Sequence, residues 1–359
     1  MTRNRCWTLA RHPAGAVTAD DFALIERVDD ERPPEEGEII VRNHLFSVAP
    51  TIRNRLNPPA EGLRAAIPIG GVIGGMAACE VVASAHPRHH VGSRLVILSQ
   101  WEDISRLRPD RLPIPVFPVP DDMTFDDALG AYSPNTLTAY FGMIDIGRPR
   151  PGETVLVSGA AGSVGSIACQ IARLSGCRVI GIAGSADKCR WLLDAGCVDA
   201  VIDYRHEDVP DRLRVLAPDG IDIFFDNVGG ALLQHAIDRM ARHGRIVVCG
   251  QISAYDGDGD APGPRDMMKI VYGSIRIQGF VVGDHVDRID AARADLRRWV
   301  NDGALTVRAD RRHGLSHLPA ALIDLFRGAN AGALLVVNDD APERHDVRYR
   351  PDGGEVSDA

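Results

Sequence analysis

The chemistry in this chain starts at Val157, where it reads VSGAAGSVGS. Ala160, Gly162 and Gly165 occupy the three positions of an A-x-G-x-x-G fingerprint. They stand between an apolar strand, ETVLVSG, and an amphipathic helix, VGSIACQIARLSG, closed by Gly176. Glycine at 162 lets the backbone approach a pyrophosphate, and glycine at 165 lets the helix pack against the strand. The first helical turn, Ser163 to Ser166, carries free N–H groups around Val164 and Gly165 that face an anion. A tight strand–helix turn with no ligand uses the same residues. The strand series around the loop is what favours a dinucleotide.

About 20 residues beyond such glycines, an NAD site usually carries an acid that holds the ribose 2′-hydroxyl. Here the second strand ends in IAGSADKCRWL, with Gly184 and Ser185 in the acid's place and Lys188 just after. A cation in the first turn of a helix opposes the helix dipole, and a nearby 2′-phosphate removes that conflict. Lys188 and Lys269 are the only lysines in the chain. These residues predict NADP(H) over NAD(H), against the plainer reading of Lys188 as a surface lysine.

A parallel sheet must position these groups, and the chain is patterned for one. Its 359 residues are long for one domain of roughly 100–200. From Trp7 to about Pro120 it reads as short strands such as EIIVRNHLFSV and SRLVILSQW, punctuated by Pro-Pro and Gly-Gly pairs. Beyond Thr124, apolar runs alternate with helical segments. RVIGIAG, DAVID, IDIFFDNV, GRIVVCG and IRIQGFVV read as strands, and RIDAARADLRRWVNDGAL as a long helix. The helix LPAALIDLFRG and the strand AGALLVVND follow. The expected fold class is α/β, with a β-rich domain over 1–125 and a doubly wound parallel-sheet domain over 126–303. A return segment over 304–340 is expected to pack on the first domain, and a polar tail over 341–359 to be disordered.

Hydrophobic and charged contents of 45% and 25% are those of a globular protein. The formal balance of 40 basic against 49 acidic residues, −9, argues against a nucleic-acid or anionic-membrane surface. No run approaches the ~18 apolar residues of a membrane span. The opening MTRNRCWTLARHPAG lacks the apolar core of a signal peptide, so the expected compartment is the cytoplasm. The seven cysteines are scattered and never form C-x-x-C, which points to buried thiols and to neither disulfides nor thiolate zinc.

The stretch from GETVLVSGAAGSVGS to KCRWL, with FDNVGG and VVCGQISAYD after it, resembles the zinc-independent medium-chain dehydrogenase/reductases. The likeness is to their prostaglandin reductase (leukotriene B4 12-hydroxydehydrogenase) and alkenal double-bond reductase branch. It runs from NRCWTLARHPAG through LTAYFGMIDIGRPRPGE and PGPRDMM to GLSHLPAALIDLFRGANAG. The resemblance implies a GroES-like β domain, a Rossmann domain and a homodimer. It also implies that Lys188 and Tyr204 bind the NADP 2′-phosphate and that Asn227 lines the cofactor site. Cys249, Gly250, Gln251, Ile252, Ser253 and the segment Phe280, Val281, Val282 would wrap the nicotinamide half, and Asn330 would contact the cofactor. Without the resemblance, Tyr204 reads equally as a strand-end aromatic and Asn227 as a turn former.

Zinc alcohol dehydrogenases need Cys or His ligands in the first domain, and FSVAPTIRNRL offers none through Ala49 and Arg53. His86, His89 and His90 lie in a polar turn and read as solvated. No metal is expected, and alcohol oxidation by Lewis-acid zinc is disfavoured. Conjugate reduction then becomes the natural reaction, with hydride passing to the β-carbon of an α,β-unsaturated ketone or aldehyde and charge growing on the carbonyl oxygen. Tyr255 matches the family tyrosine proposed to donate to that oxygen or to protonate the α-carbon; a substrate-wall aromatic is the other reading. Tyr140 reads as packing. Relatives commonly carry SLDPYMR, MPGLTAY and NxGK where this chain has SVAPTIR, SPNTLTAY and NAGA, so Ala49, Thr51, Thr136 and Ala333 are departures that put the substrate in doubt. Two alternatives stand beside the enone reductase. One is an NADPH-dependent quinone reductase, and the other an NADPH-binding protein with a sensor or non-redox role.

Overall fold

Apolar alternation in the first third of the chain and continuous apolar runs in the middle produce two different sheets. The computed structural model describes residues 3–28, 32–58, 66–255, 263–339 and 341, so the tail expected over 341–359 lies, but for Ala341, outside the described residues. The chain begins with β1 (Arg3–Leu9), β2 (Phe22–Val28), β3 (Ile39–Ser47), α1 (Arg53–Leu56), β4 (Gly74–Ser84), β5 (Arg94–Gln100), β6 (Ile104–Leu107), β7 (Phe117–Pro118) and α2 (Phe125–Leu129). Next come α3 (Pro134–Phe141), β8 (Thr154–Val157), α4 (Ser163–Leu174), β9 (Arg178–Ala183), α5 (Ala186–Asp194), β10 (Ala200–Asp203), α6 (Val209–Leu216) and β11 (Ile221–Asp226). They are followed by α7 (Gly230–Arg239), β12 (Met240–Val248), α8 (Met267–Gly273), β13 (Arg276–Gly279) and α9 (Ile289–Asn301). The last elements are β14 (Ala309–His313), α10 (Leu318–Phe326) and β15 (Ala333–Val337).

The described residues fall into two units. One runs to Leu129 and adds Arg311–Arg327 and the residues from Leu334 onward; the other holds Gly130–Asp310 and Gly328–Ala333.

In the first unit, a sheet of order β14-β15-β3-β4-β5-β7 has β6 paired on β3, and β1 and β2 form a separate antiparallel pair. Phe46 on β3 stands opposite Ala77 on β4 and Val336 on β15. This register buries Phe46 with Leu9, Trp101, Ile52, Leu56, Leu318 and Leu322 in one apolar cluster. The late helix α10 and strand β15 therefore complete the core begun by the first strands.

In the second unit, six parallel strands run in the order β10-β9-β8-β11-β12-β13. The order reverses at β8, where successive strands turn opposite ways and leave a crevice at their C-terminal ends. Leu156, Ile180, Ile202, Phe224 and Ile246 from the strands are buried with Leu213 and Ile237 from the helices, as parallel strands covered on both faces require. Helix α4 stops at Gly176, which takes φ +79° while its N–H donates to the Arg173 carbonyl at 2.9 Å. Strand β13 is shorter than IRIQGFVV, because a 3₁₀ turn begins at Val282. Helix α3 continues through one π turn, Gly142–Gly147. A Cβ on Gly142 would lie 2.6 Å from the Phe280 ring and 2.7 Å from that of Phe225, so glycine is what lets both rings close there.

Candidate active site

Each of the six parallel strands ends in residues singled out in the sequence. The first is the glycine loop after β8. Gly159 turns the chain at φ +58°, and a Cβ on Gly165 would lie 2.2 Å from the Gly159 carbonyl oxygen. The loop can close this tightly only without a side chain at 165. Gly162 is the N-cap of α4 and brings no side chain to the free N–H groups of Ser163, Val164 and Gly165. Ala160 is buried, its N–H donating to Ile182 at 3.0 Å, and Ser166 is buried one turn later. Ser163 Oγ accepts from Asn135 Nδ2 at 3.1 Å. From the other side, Gly332 donates its N–H to the Ala161 carbonyl at 3.2 Å. Buried Asn330 braces that contact by donating from Nδ2 to the Gly332 carbonyl at 3.0 Å.

The ends of β9 and β10 carry the cations. Ser185 caps α5 by accepting from the Lys188 N–H, and Lys188 Nζ donates to the Gly328 carbonyl at 2.8 Å. Tyr204 is 47% exposed, and its ring lies over Gly184, where a Cβ would meet the hydroxyl at 2.8 Å. Burial, then Arg205 and Arg308, push the Lys188 ammonium below its ordinary value, against a smaller opposing effect of Asp310. The sequence reading passed over Arg205 and Arg308. Arg205 follows Tyr204 directly and was open to notice; Arg308 carries no local signal.

After β11 and β12, two loops lie against each other. Buried Asp226 accepts from Ser158 Oγ at 2.8 Å and from the N–H groups of Val228 and Gly229 at 3.0 Å. Ser158 Oγ also accepts from the Asn227 N–H at 2.8 Å, and Asn227 Nδ2 donates to the Ser158 carbonyl at 2.7 Å. Asn227 thus ties the end of β11 to the glycine loop. The next loop closes on this one through Ser253 Oγ, which donates to the Val228 carbonyl at 2.6 Å, and through Gln251, whose Cγ packs on Gly229. Ile252 opens a 3₁₀ turn that leads to Tyr255. The Tyr255 hydroxyl stands 3.8 Å from where a Cβ on Gly250 would be, so it lies over the backbone at the end of β12. Burial and Asp226 push the Cys249 thiol up to about 12, which keeps it a neutral packing group. Beyond β13, Phe280 packs on Gly142, Val281 is exposed and Val282 begins the following turn.

Other residues have structural duties. Tyr140 donates its hydroxyl to Asp295 at 2.7 Å, and burial and that carboxylate push it up to about 12. Buried Thr136 donates from Oγ1 to the Gly130 carbonyl at 2.9 Å. Ala333 is buried, with its N–H on the Arg308 carbonyl at 2.8 Å. In the first unit, Ala49 is the N-cap of the short turn Pro50–Ile52 and Thr51 is exposed. Among the described residues, no three His, Cys, Asp or Glu side chains stand together as metal donors. No described helix is long and apolar enough to cross a membrane.

The second unit therefore offers an anion-accepting helix start, a cationic strand end and a hydroxyl over a third loop. This donor set fits a dinucleotide that carries a further phosphate on its ribose. Comparison with known proteins agrees. Residues 5–113 match the family described as N-terminal domain of oxidoreductase, and residues 163–298 that described as zinc-binding dehydrogenase. The NADPH-dependent curcumin reductase of Escherichia coli is 34% identical over 93% of this chain and 96% of its own. Prostaglandin reductase 1 of Bos taurus is 35% identical over 94% of this chain and 99% of its own. The crystal structure of CurA from Vibrio vulnificus in complex with NADPH superposes with a TM-score of 0.85 at 32% identity, covering 94% of this chain and 99% of that one. The chain belongs to the zinc-independent medium-chain dehydrogenase/reductases, in their prostaglandin reductase and alkenal double-bond reductase branch.

Proposed function

We propose that this protein is an NADPH-dependent oxidoreductase that reduces the C=C bond of an α,β-unsaturated ketone or aldehyde. The observation that carries the reading is the pairing of the glycine loop with Lys188 where an NAD site holds an acid. Relatives support the substrate class. One is named for curcumin and another, (+)-pulegone reductase of Mentha piperita, for pulegone; both molecules hold a C=C bond conjugated to a ketone.

Ser163, Val164 and Gly165 hold the pyrophosphate through their N–H groups. Lys188 and Tyr204 hold the 2′-phosphate, and the loops from Asn227, Cys249 to Ser253 and Phe280 to Val282 line the nicotinamide half. Asn330 keeps the glycine loop closed through Gly332. The bound cofactor supplies the hydride that reaches the β-carbon of the substrate. Tyr255 donates a hydrogen bond to the substrate oxygen as charge grows there, and its proton or one from water reaches the α-carbon.

We further infer a homodimer formed through β13. That strand ends the parallel sheet with every residue exposed, and α8, which packs against the neighbouring β12, exposes Met267, Met268, Val271 at 60% and Tyr272 at 77%. Two copies of an unpaired edge can join about a two-fold axis, each covering the other's apolar row. The cytoplasm remains the expected compartment, in keeping with seven free thiols.

NADPH absorbance followed over a panel of enals, enones and quinones, with product identification, tests the reaction. A saturated carbonyl product formed in step with NADPH loss supports it. Turnover of quinones alone, or tight binding of NADPH with no oxidation across the panel, overturns it.

A further inference from the structure

Lys188 is not alone at the end of β9. A Cβ on Gly328 would lie 3.8 Å from Lys188 Nζ and 3.6 Å from an Arg205 guanidinium nitrogen, so both cations converge over one α-carbon. Arg308 approaches from a third segment. Its guanidinium stacks over Trp191 at 5.0 Å, and Trp191 is one turn beyond Lys188 on the same helix. The backbone of Arg308 is also pinned. Its carbonyl accepts from Ala333, and it packs so closely on Gly332 that a Cβ there would lie 2.1 Å from the Arg308 oxygen. Gly332 in turn pairs with Gly162 of the glycine loop. Arg308 is thus set one residue away from the loop and one helical turn away from Lys188.

We propose that Arg308 is a specificity-determining residue, completing with Lys188 and Arg205 a three-cation cradle for the 2′-phosphate of the cofactor. This rests on the NADPH reading above and adds a residue to it. The charges that act on Lys188 are two arginines and one acid, Asp310, whose carboxylate is engaged by the Ala331 N–H at 3.3 Å. The three cations repel one another even with Asp310 beside Lys188 and Asp203 beside Arg205, and a phosphate dianion relieves that repulsion while NADH leaves it in place. The flat indole beneath Arg308 orients the guanidinium and leaves its N–H edge for phosphate oxygens.

The test is a pair of equilibrium titrations, NADPH and NADH, on wild type, Arg308→Ala and Arg308→Lys, followed by protein fluorescence in the absence of substrate. Arg308→Ala should weaken NADPH roughly 10- to 100-fold, the span of one charge-assisted hydrogen bond, and change NADH less than threefold. Arg308→Lys should recover most of the NADPH affinity. Inhibition of NADPH binding by 2′,5′-ADP should weaken in Arg308→Ala in the same proportion, while that by 5′-AMP stays constant. Equal loss for NADPH and NADH would mean that Arg308 only packs on Trp191, and unchanged NADPH affinity would mean that it does not reach the phosphate; either overturns the proposal and leaves the reductase reading intact. A wild type that binds the two cofactors equally overturns both.

Discussion

Replacing Gly165 by alanine tests the glycine loop most directly. The new Cβ would lie 2.2 Å from the Gly159 oxygen, 2.9 Å from its carbonyl carbon and 3.0 Å from the Ala160 Cα, all backbone atoms. Ordinary contact begins at 3.4 Å, so loop and helix must separate by about 1 Å. The N–H groups at the start of α4 then lose their aim. Losing one or two charge-assisted hydrogen bonds, at about 1.5 kcal/mol each, weakens NADPH binding roughly 10- to 150-fold. Fluorescence titration reads this, and a urea melt of the same variant measures the accompanying overpacking cost of about 1–3 kcal/mol. Gly303→Ala supplies the control. Gly303 takes φ +68° with nothing near its Cβ position, so alanine there strains the backbone by about 1–2 kcal/mol and should leave NADPH affinity unchanged. If Gly165→Ala binds NADPH within twofold of wild type, the pyrophosphate is not held at this helix start.

Tyr255→Phe should lower kcat roughly 10²- to 10³-fold, as loss of a donor to a developing oxyanion does, with the KM for NADPH unchanged; an unaltered kcat would make Tyr255 a wall of the site. Because burial and two arginines lower the pKa of Lys188 below its ordinary value, its ammonium is lost as pH rises through that lowered value. NADPH affinity should therefore fall at a lower pH than an ordinary lysine would give, while NADH affinity stays flat, and Lys188→Arg should remove the fall; parallel curves for both cofactors would refute this. Ser158→Ala removes the hydroxyl that donates to Asp226 and accepts from Asn227, and should cost about 2–4 kcal/mol of stability in urea unfolding, whereas a cost below 1 would show that the network is dispensable. Tyr272→Glu, by placing a charge in the exposed apolar row of α8, should shift the protein from dimer to monomer on size exclusion; a monomeric wild type would defeat the inferred interface.

Local pattern was enough where structure depends on near neighbours. β8, β9, β10 and β11 are apolar runs of four to six residues, α4 stops at its glycine, and Lys188 follows the strand end where it was expected. Strand β14, with sequence ADRRH, had no such pattern. It lies at the sheet edge, where one side needs no apolar partner, and its pairing with β15 decides its form. The packing of the Phe280 and Phe225 rings on Gly142, where α3 passes into the π turn, was equally hidden, because both rings are distant in sequence. Tyr204 shows the middle case. Its position at a strand end was legible, and its ring over Gly184 was not.

By itself, then, the sequence determined the parallel strand series, the glycine-lined helix start and the cation that stands in place of an acid. Each strand, loop and cation is read from its own near neighbours, through the short-range periodicity and backbone freedom that a single pass along the chain can read. Only the tertiary structure decided which distant groups join them. Arg308 stacks on Trp191, one turn beyond Lys188, across 117 residues, Gly332 meets Gly162 across 170, and Ser158 bonds Asp226 across 68. These contacts depend on how whole strands order themselves in the sheet, and the sheet's order is set by burial of all its strands together and not by any one segment.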